Sequence, residues 1–231
     1  MGAVSFGIPK EEAEFLKNAM HLDTFIEGGT YYGNTSLYAS NIFKKVFTIE
    51  YSHVVFEKAS IILKDVPNIK IFEGDTRDHF KKLSAENDNI LYWLDSHWSG
   101  GETYGEEDEC PLIEELNIIF KNKKNCAVLI DDARFFLSPP PSPHKISSWP
   151  SIKDIVENIP NDYHVMVYDD VVYLVPSKYA TAFWEFVQQK KTEKAKKEFG
   201  NTWFMRKYRK VIQYLKHTKV AEGIKKILRK R

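Results

Sequence analysis

Five short apolar runs recur along the chain at near-regular intervals. They are DTFIEG (23–28), KVFTIE (45–50), NIKIFEG (68–74), NILYWLD (89–95) and CAVLIDD (126–132). Each is β-branched or aromatic in character and closes on a polar residue or glycine, which is how a buried strand reads. Apolar residues at helical spacing lie between them, as in SHVVFEKASIIL (52–63) and ECPLIEELNIIF (109–120). Strand and helix in alternation call for a parallel sheet with helices on both faces. The end of this region breaks the pattern. YHVMVYDDVVYLVP (163–176) reads as two strands about a tight turn at Asp169 and Asp170, an antiparallel hairpin at the end of the sheet.

The expected architecture is therefore an α/β, Rossmann-like, mostly parallel sheet over residues 1–178, followed by a basic helical extension over 179–231. Charge supports the division. Residues 190–231 carry 16 Lys and Arg against three Glu, whereas residues 1–189 carry 17 positive and 29 negative side chains. Phe204, Tyr208, Val211 and Leu215 share one helical face of the extension and Val220, Ile224, Ile227 and Leu228 another, so it reads as a basic amphipathic helix suited to an anionic membrane surface. Packing on the acidic body or on a second subunit of a homo-oligomer is the alternative. The acidic body and the lack of a nucleic-acid motif argue against a nucleic-acid partner. No apolar run approaches a membrane span, the N-terminus turns acidic too early for a secretory signal, and there are only two cysteines. A cytoplasmic protein, membrane-associated at the inner face if the tail binds lipid, is the expectation.

The chemistry-bearing residues sit at strand ends. In an open parallel sheet, ligands bind beyond the carboxyl ends of the strands, near the switch in strand order. Glu27, Gly28 and Gly29 end the first strand, and Gly33 precedes the next helix. Glycine there allows positive φ and close approach of a ligand, although an ordinary tight turn has the same composition. Glu50 ends the second strand and Asp75 follows the third. An acid after the second strand is placed to accept bonds from ribose hydroxyls, and one after the third lies within reach of an adenine, although either also suits a helix cap. Asp95, with His97 two residues on, ends the fourth strand, and Asp131 and Asp132 end the fifth. If those strands are neighbours, three carboxylates converge and repel unless protons or a hard cation such as Mg²⁺ neutralise them. Caps bonded to backbone amides are the alternative.

This arrangement resembles the class I S-adenosylmethionine-dependent methyltransferases over residues 22–176. The resemblance rests on the acid–glycine loop, Glu50, Asp75 and the closing hairpin. It implies seven strands with the last inserted antiparallel, and a cofactor site at Glu27, Gly28, Gly29, Thr30, Gly33, Glu50, Tyr51, Asp75, Thr76 and Asp95. The loop departs from the family's alternate glycines, since Thr30, Tyr31 and Tyr32 separate Gly29 from Gly33. LDSHW with a later IDDA is similar to metal-dependent O-methyltransferases of sugar hydroxyls, of the macrocin type. That likeness implies a divalent ion on Asp95, Asp131 and Asp132, catalysis by Asp95 and His97 with His97 the base, and a sugar or glycan acceptor. A nearby cation would keep His97 neutral. Trp98, Tyr104 and Trp149 are candidates to stack on a sugar face. The proline-rich stretch 138–151 is expected to be a loop, as a lid or rim of the site or as plain surface. A non-catalytic binding protein on the same fold, or a methyltransferase of another acceptor, are the competing readings.

Overall fold

A computed structural model describes residues 7–98, 105, 108–122 and 125–216, with the side chains beyond residue 198 described only at Lys207 and Lys210. Helix α1 (Lys10–Met20) leads into β1 (Thr24–Gly28), α2 (Asn34–Ser40), β2 (Lys45–Glu50), α3 (His53–Leu63), β3 (Ile69–Glu73), α4 (Thr76–Glu86) and β4 (Ile90–Leu94). Then follow α5 (Leu112–Lys121), β5 (Cys126–Ile130), the short α6 (Arg134–Leu137), a single 3₁₀ turn (Ile146–Ser148), α7 (Ile152–Glu157), β6 (Tyr163–Tyr168), β7 (Val171–Pro176) and the long α8 (Ser177–Lys216). The seven strands lie in the order β3-β2-β1-β4-β5-β7-β6. All pairings are parallel except β5 with β7 and β6 with β7. This is the expected mostly parallel sheet closed by an antiparallel hairpin.

The burial of the strands explains their sequences. Every residue of β1, β4, β5 and β7 is buried, whereas the edge strands β3 and β6 are only partly covered. Continuous apolar runs such as CAVLI and ILYWL are what a strand covered on both faces requires. Asp169 and Asp170 both adopt positive φ, the backbone of a two-residue hairpin turn that matches strand twist. Because β7 runs antiparallel to β5, its beginning lies at the carboxyl end of β5. The turn therefore reaches the edge where the parallel strands end: the amide of Ala133 donates to the Asp170 carbonyl at 2.8 Å and the amide of Arg134 to Asp170 Oδ1 at 3.0 Å.

The chain divides into two compact units, 1–183 and 184–231. Within the first, Phe183 on the opening turns of α8 is buried against Phe15 and Tyr173, with ring centroids 5.8 and 5.2 Å apart. In the second, residues 191–198 of α8 are exposed on all sides. The expected amphipathic faces at Phe204–Leu215 and Val220–Leu228 lie outside the residues whose side chains are described. Among the described residues no helix is long and apolar enough to cross a membrane.

The switch in strand order falls between β1 and β4, and there two backbones nearly touch. The amide of Asp95 donates to the Gly28 carbonyl at 2.9 Å, and the amide of Gly29 donates to the Ile49 carbonyl at 3.0 Å. Gly29 has φ +89°, and a Cβ on it would lie 2.1 Å from the Asp95 carbonyl oxygen. The glycine is thus demanded by the protein's own strand end. Gly29→Ala adds both a positive-φ side chain and a backbone clash, so it should destabilise the fold by at least about 2 kcal/mol. Urea unfolding checks this, and a variant as stable as the parent would contradict the close approach.

Candidate active site

Beneath the β1–α2 loop lies a polar cluster centred on Glu27, whose residue is 1% exposed. Its Oε2 accepts from Ser36 Oγ at 2.5 Å and from Thr48 Oγ1 at 2.7 Å. Thr30 and Thr48 share a hydroxyl–hydroxyl bond of 2.6 Å. Glu27 and Thr30 therefore brace the loop from below, with their side chains committed to protein partners. Burial pushes the Glu27 carboxyl up to about 7, against the pull of the hydroxyls. Ser36 and Thr48 carry no motif, and their role emerges only once the strands are placed.

Glu50 has a different posture. Its Oε2 accepts from the amide of Tyr31 and its Oε1 from the amide of Ser52, both at 2.9 Å. Burial raises its pKa, opposed by those amides. The Tyr51 amide also bonds this carboxylate, which leaves about one of its roughly four acceptor sites open, and Tyr31, Tyr32 and Tyr51 stand exposed along this edge. Gly33, at φ +78°, opens α2. Asp75 is held differently from the adenine-side acid expected of it. It caps α4 through the amide of Arg77 at 2.8 Å, and the Arg77 guanidinium grips the same carboxylate, with Nη2 2.6 Å from Oδ2. The Thr76 hydroxyl donates to the buried Glu115, which also accepts from Ser96 Oγ at 2.6 Å.

The second cluster lies at the ends of β4 and β5, which are neighbours, so the condition for the carboxylates to converge is met. His97 Nε2 is 2.9 Å from Asp132 Oδ2 and 3.8 Å from Asp95 Oδ1. Arg134 Nη1 donates to Asp132 Oδ1 at 2.7 Å and pairs with Asp170. Asp131 Oδ1 accepts from the amide of Asp132 at 2.8 Å, while its buried Oδ2 has no hydrogen-bond partner. Burial and then the neighbouring Asp132 push Asp131 up to about 6. Asp95 is also raised, by burial and by Asp131, although His97 opposes this. Asp132 moves the other way: burial alone would raise it, but the bonds and charges of His97 and Arg134 outweigh burial and lower it.

The expected neutral His97 beside a cation is not what surrounds it. Burial lowers the imidazole's pKa, but the Asp132 hydrogen bond and the charges of Asp95, Asp132 and Asp131 together outweigh burial and raise it. The metal expected on Asp95, Asp131 and Asp132 likewise lacks a matching donor set. Among the described residues no group of three His, Cys, Asp or Glu is arranged to hold an ion. Both oxygens of Asp132 are already engaged, one by His97 and one by a guanidinium, so the neutralising charge comes from within the chain. Arg134 and Asp170 were not foreseen. An arginine two residues past an acid pair carries no signal until the hairpin brings Asp170 alongside.

The proline-rich segment forms a wall of this cluster. Trp149 is buried and meets His97 edge-on, with ring centroids 5.2 Å apart and an interplanar angle of 61°. Trp98 is buried beside His144. Both indoles are buried, so neither stands open to stack on a sugar. Tyr104 lies outside the described residues.

No protein-family model and no curated protein sequence matches the chain. Solved structures do. It is similar to the O-methyltransferase TomG of Streptomyces achromogenes, involved in tomaymycin synthesis and solved with S-adenosylmethionine, at 14% identity and a TM-score of 0.52, covering 75% of this chain and 82% of that one. An O-methyltransferase of Bacillus cereus in complex with S-adenosylhomocysteine matches at 12% identity and a TM-score of 0.52, over 75% and 83%. A Staphylococcus aureus protein proposed to be a caffeoyl-CoA O-methyltransferase matches at 13% identity and 0.53, over 75% and 86%. The shared property is the fold, a seven-stranded Rossmann-like methyltransferase sheet.

Glu27 makes a prediction independent of activity. Its folded pKa of about 7 lies above its ordinary 4.5, so the folded state retains a proton that the unfolded chain releases in that window. Its contribution to stability is full below about pH 4.5 and falls as pH rises toward 7, by on the order of 3 kcal/mol. Glu27→Gln cannot ionise. The difference in unfolding free energy between parent and variant should therefore shift against the parent from pH 4.5 to 7.5. A pH-independent difference would rule out the buried, protonated carboxyl.

Proposed function

We propose that the chain is an S-adenosylmethionine-dependent O-methyltransferase in which His97, held by Asp132, takes the proton of an acceptor hydroxyl. The observation that carries this reading is the hydrogen-bonded His97–Asp132 pair at the end of β4 and β5, beside the strand-order switch at β1. The fold supports it, as do the fold neighbours solved with S-adenosylmethionine or S-adenosylhomocysteine. The resemblance to sugar O-methyltransferases supports a sugar hydroxyl as acceptor.

The residues on the edge fit an adenosyl cofactor at Glu50, where a carboxylate fixed by the amides of Tyr31, Tyr51 and Ser52 keeps an acceptor site for a ribose hydroxyl, and at the glycine turn of Gly28, Gly29 and Gly33. When bound, the cofactor supplies an electrophilic methyl group. The protein's part is to orient the acceptor and remove its proton. Asp132 accepts at His97 Nε2, so in the neutral imidazole Nε2 carries the hydrogen and Nδ1 the lone pair. Nδ1 is therefore the atom that receives the acceptor's proton. The imidazolium so formed turns Nε2 toward both Asp132 and Asp95, and the ionised Asp132 stabilises it. Arg134 keeps Asp132 ionised and turned toward His97. No step is routed through a metal, because the donor set among the described residues does not match one; the unpartnered Oδ2 of Asp131 is an observation that favours a divalent ion.

Three measurements test this. Calorimetry with S-adenosylhomocysteine should show binding that Glu50→Ala weakens about tenfold or more, as expected for lost charge-assisted hydrogen bonds; a parent that binds none refutes the cofactor reading. His97→Ala should lower kcat by about 10²–10⁴-fold and leave cofactor affinity unchanged, and near-parental kcat would place the base elsewhere. Methyl transfer to a panel of sugar hydroxyls should survive excess EDTA. Loss of activity that Mg²⁺ restores would reinstate the metal at Asp131.

A further inference from the structure

Glu109 falls outside the chemistry above, yet its side chain is fully buried. Three donors from the proline-rich loop converge on it. Trp149 Nε1 donates to Oε2 at 2.7 Å, His144 Nδ1 lies 3.1 Å from the same oxygen, and the amide of Lys145 donates to Oε1 at 2.8 Å. Its own carbonyl accepts from the amide of Trp98 at 2.7 Å, which closes the base of the segment between β4 and α5. One residue thus closes the loop after β4 and fastens to it the loop after β5. A buried carboxylate with three donors is expensive to disturb, since removing it leaves those donors unsatisfied in an apolar setting. Burial alone would raise its pKa, but the donors outweigh burial and hold it below the usual carboxylate range.

What Glu109 holds in place is Trp149. That indole packs on Phe135, Phe136 and His144, with centroids 5.1, 5.9 and 5.1 Å away, and meets His97 in a T-shaped contact. His97 is bounded on one side by the Asp132 hydrogen bond and on another by this ring. One hydrogen bond at Nε2 limits the imidazole's rotation about its Cβ–Cγ axis only in part, and the indole packed against the ring restricts it further.

We propose that Glu109 is a positioning residue: through the Trp149 indole, it fixes the imidazole of His97 and couples the two loops that wall the site. This rests on the reading of His97 as the base only for its effect on rate; the structural half stands on its own.

Two readouts separate the two. In the full-length chain, Glu109→Gln should raise hydrogen exchange at the Lys145 amide about tenfold or more. It should also shift and broaden the His97 imidazole resonances in NMR spectra, with S-adenosylhomocysteine affinity within twofold of the parent. If methyl transfer is measurable, kcat should fall about tenfold while KM for S-adenosylmethionine stays within twofold, and Glu109→Gln in a His97→Ala background should have no further effect on kcat. Glu109→Asp keeps the charge but shortens the arm, and serves for the same measurements if the Gln variant does not fold. Unchanged His97 resonances in a folded variant overturn the proposal, whatever happens at Lys145, because the carboxylate would then only fasten a loop. Where His97→Ala does lower kcat, a lowered Tm with parental kcat in the Glu109 variant overturns it as well. Absence of methyl transfer by the parent counts against the proposed function alone, and the exchange and resonance measurements still decide the role of Glu109.

Discussion

Carboxylates buried at the carboxyl edge of a sheet have to be neutralised or hydrogen-bonded, and in this protein six of them shape what surrounds them. An unpaired charge in the interior costs several kcal/mol even after relaxation, so each acid either finds donors or keeps its proton. Glu27 and Glu115 take hydroxyls and have raised pKa values. Glu109 takes an indole, an imidazole and an amide. Asp132 takes His97 and Arg134 and is the acid of the β4–β5 edge held below its ordinary range. Asp95 and Asp131 receive the least compensation and are raised. The loops, the hairpin tip and the proline-rich segment are all secured by these acids.

That division of partners separates two kinds of carboxylate that look alike as letters. Those braced by hydroxyls and amides below the loops organise backbone. Those meeting His97 hold an imidazole in place, and the two sets meet where Gly29 packs on Asp95. The switch in strand order makes that meeting possible: β1 and β4 pair directly, and the turn leaving one must pass the end of the other. A glycine there serves the fold before it serves any ligand, and its conformational demand is independent of what binds.

Strands, helices and the hairpin were legible because they are governed by local pattern. Continuous apolar runs such as CAVLI can be buried only between two layers, and Asp169-Asp170 between two alternating segments is a turn whatever the rest of the chain does. That β4 and β5 are neighbours, so that Asp95, His97 and Asp132 converge, was only a condition at the level of sequence, and the sheet order supplies it. The cis-acting neighbourhood of each acid was not legible. Asp75 suited either a ligand or a helix cap; it is the cap of α4, and Arg77, two residues on, takes both its oxygens. Trp149 looked like a stacking platform, but its hydrogen-bonding partner is 40 residues distant.

The sequence by itself determined the type and order of the elements, because period and turn chemistry are local properties. It also determined which residues stand at strand ends, because each run closes where its apolar character stops. Only the tertiary structure decided what those residues do there. The partner of a buried acid comes from whichever element the topology lays beside it: Arg134 reaches Asp170 because β7 runs antiparallel, and Glu109 reaches Trp149 because two loops leave adjacent strands on the same edge. Contacts at such separations leave no periodicity to read, so the electrostatics of the site is a product of the fold.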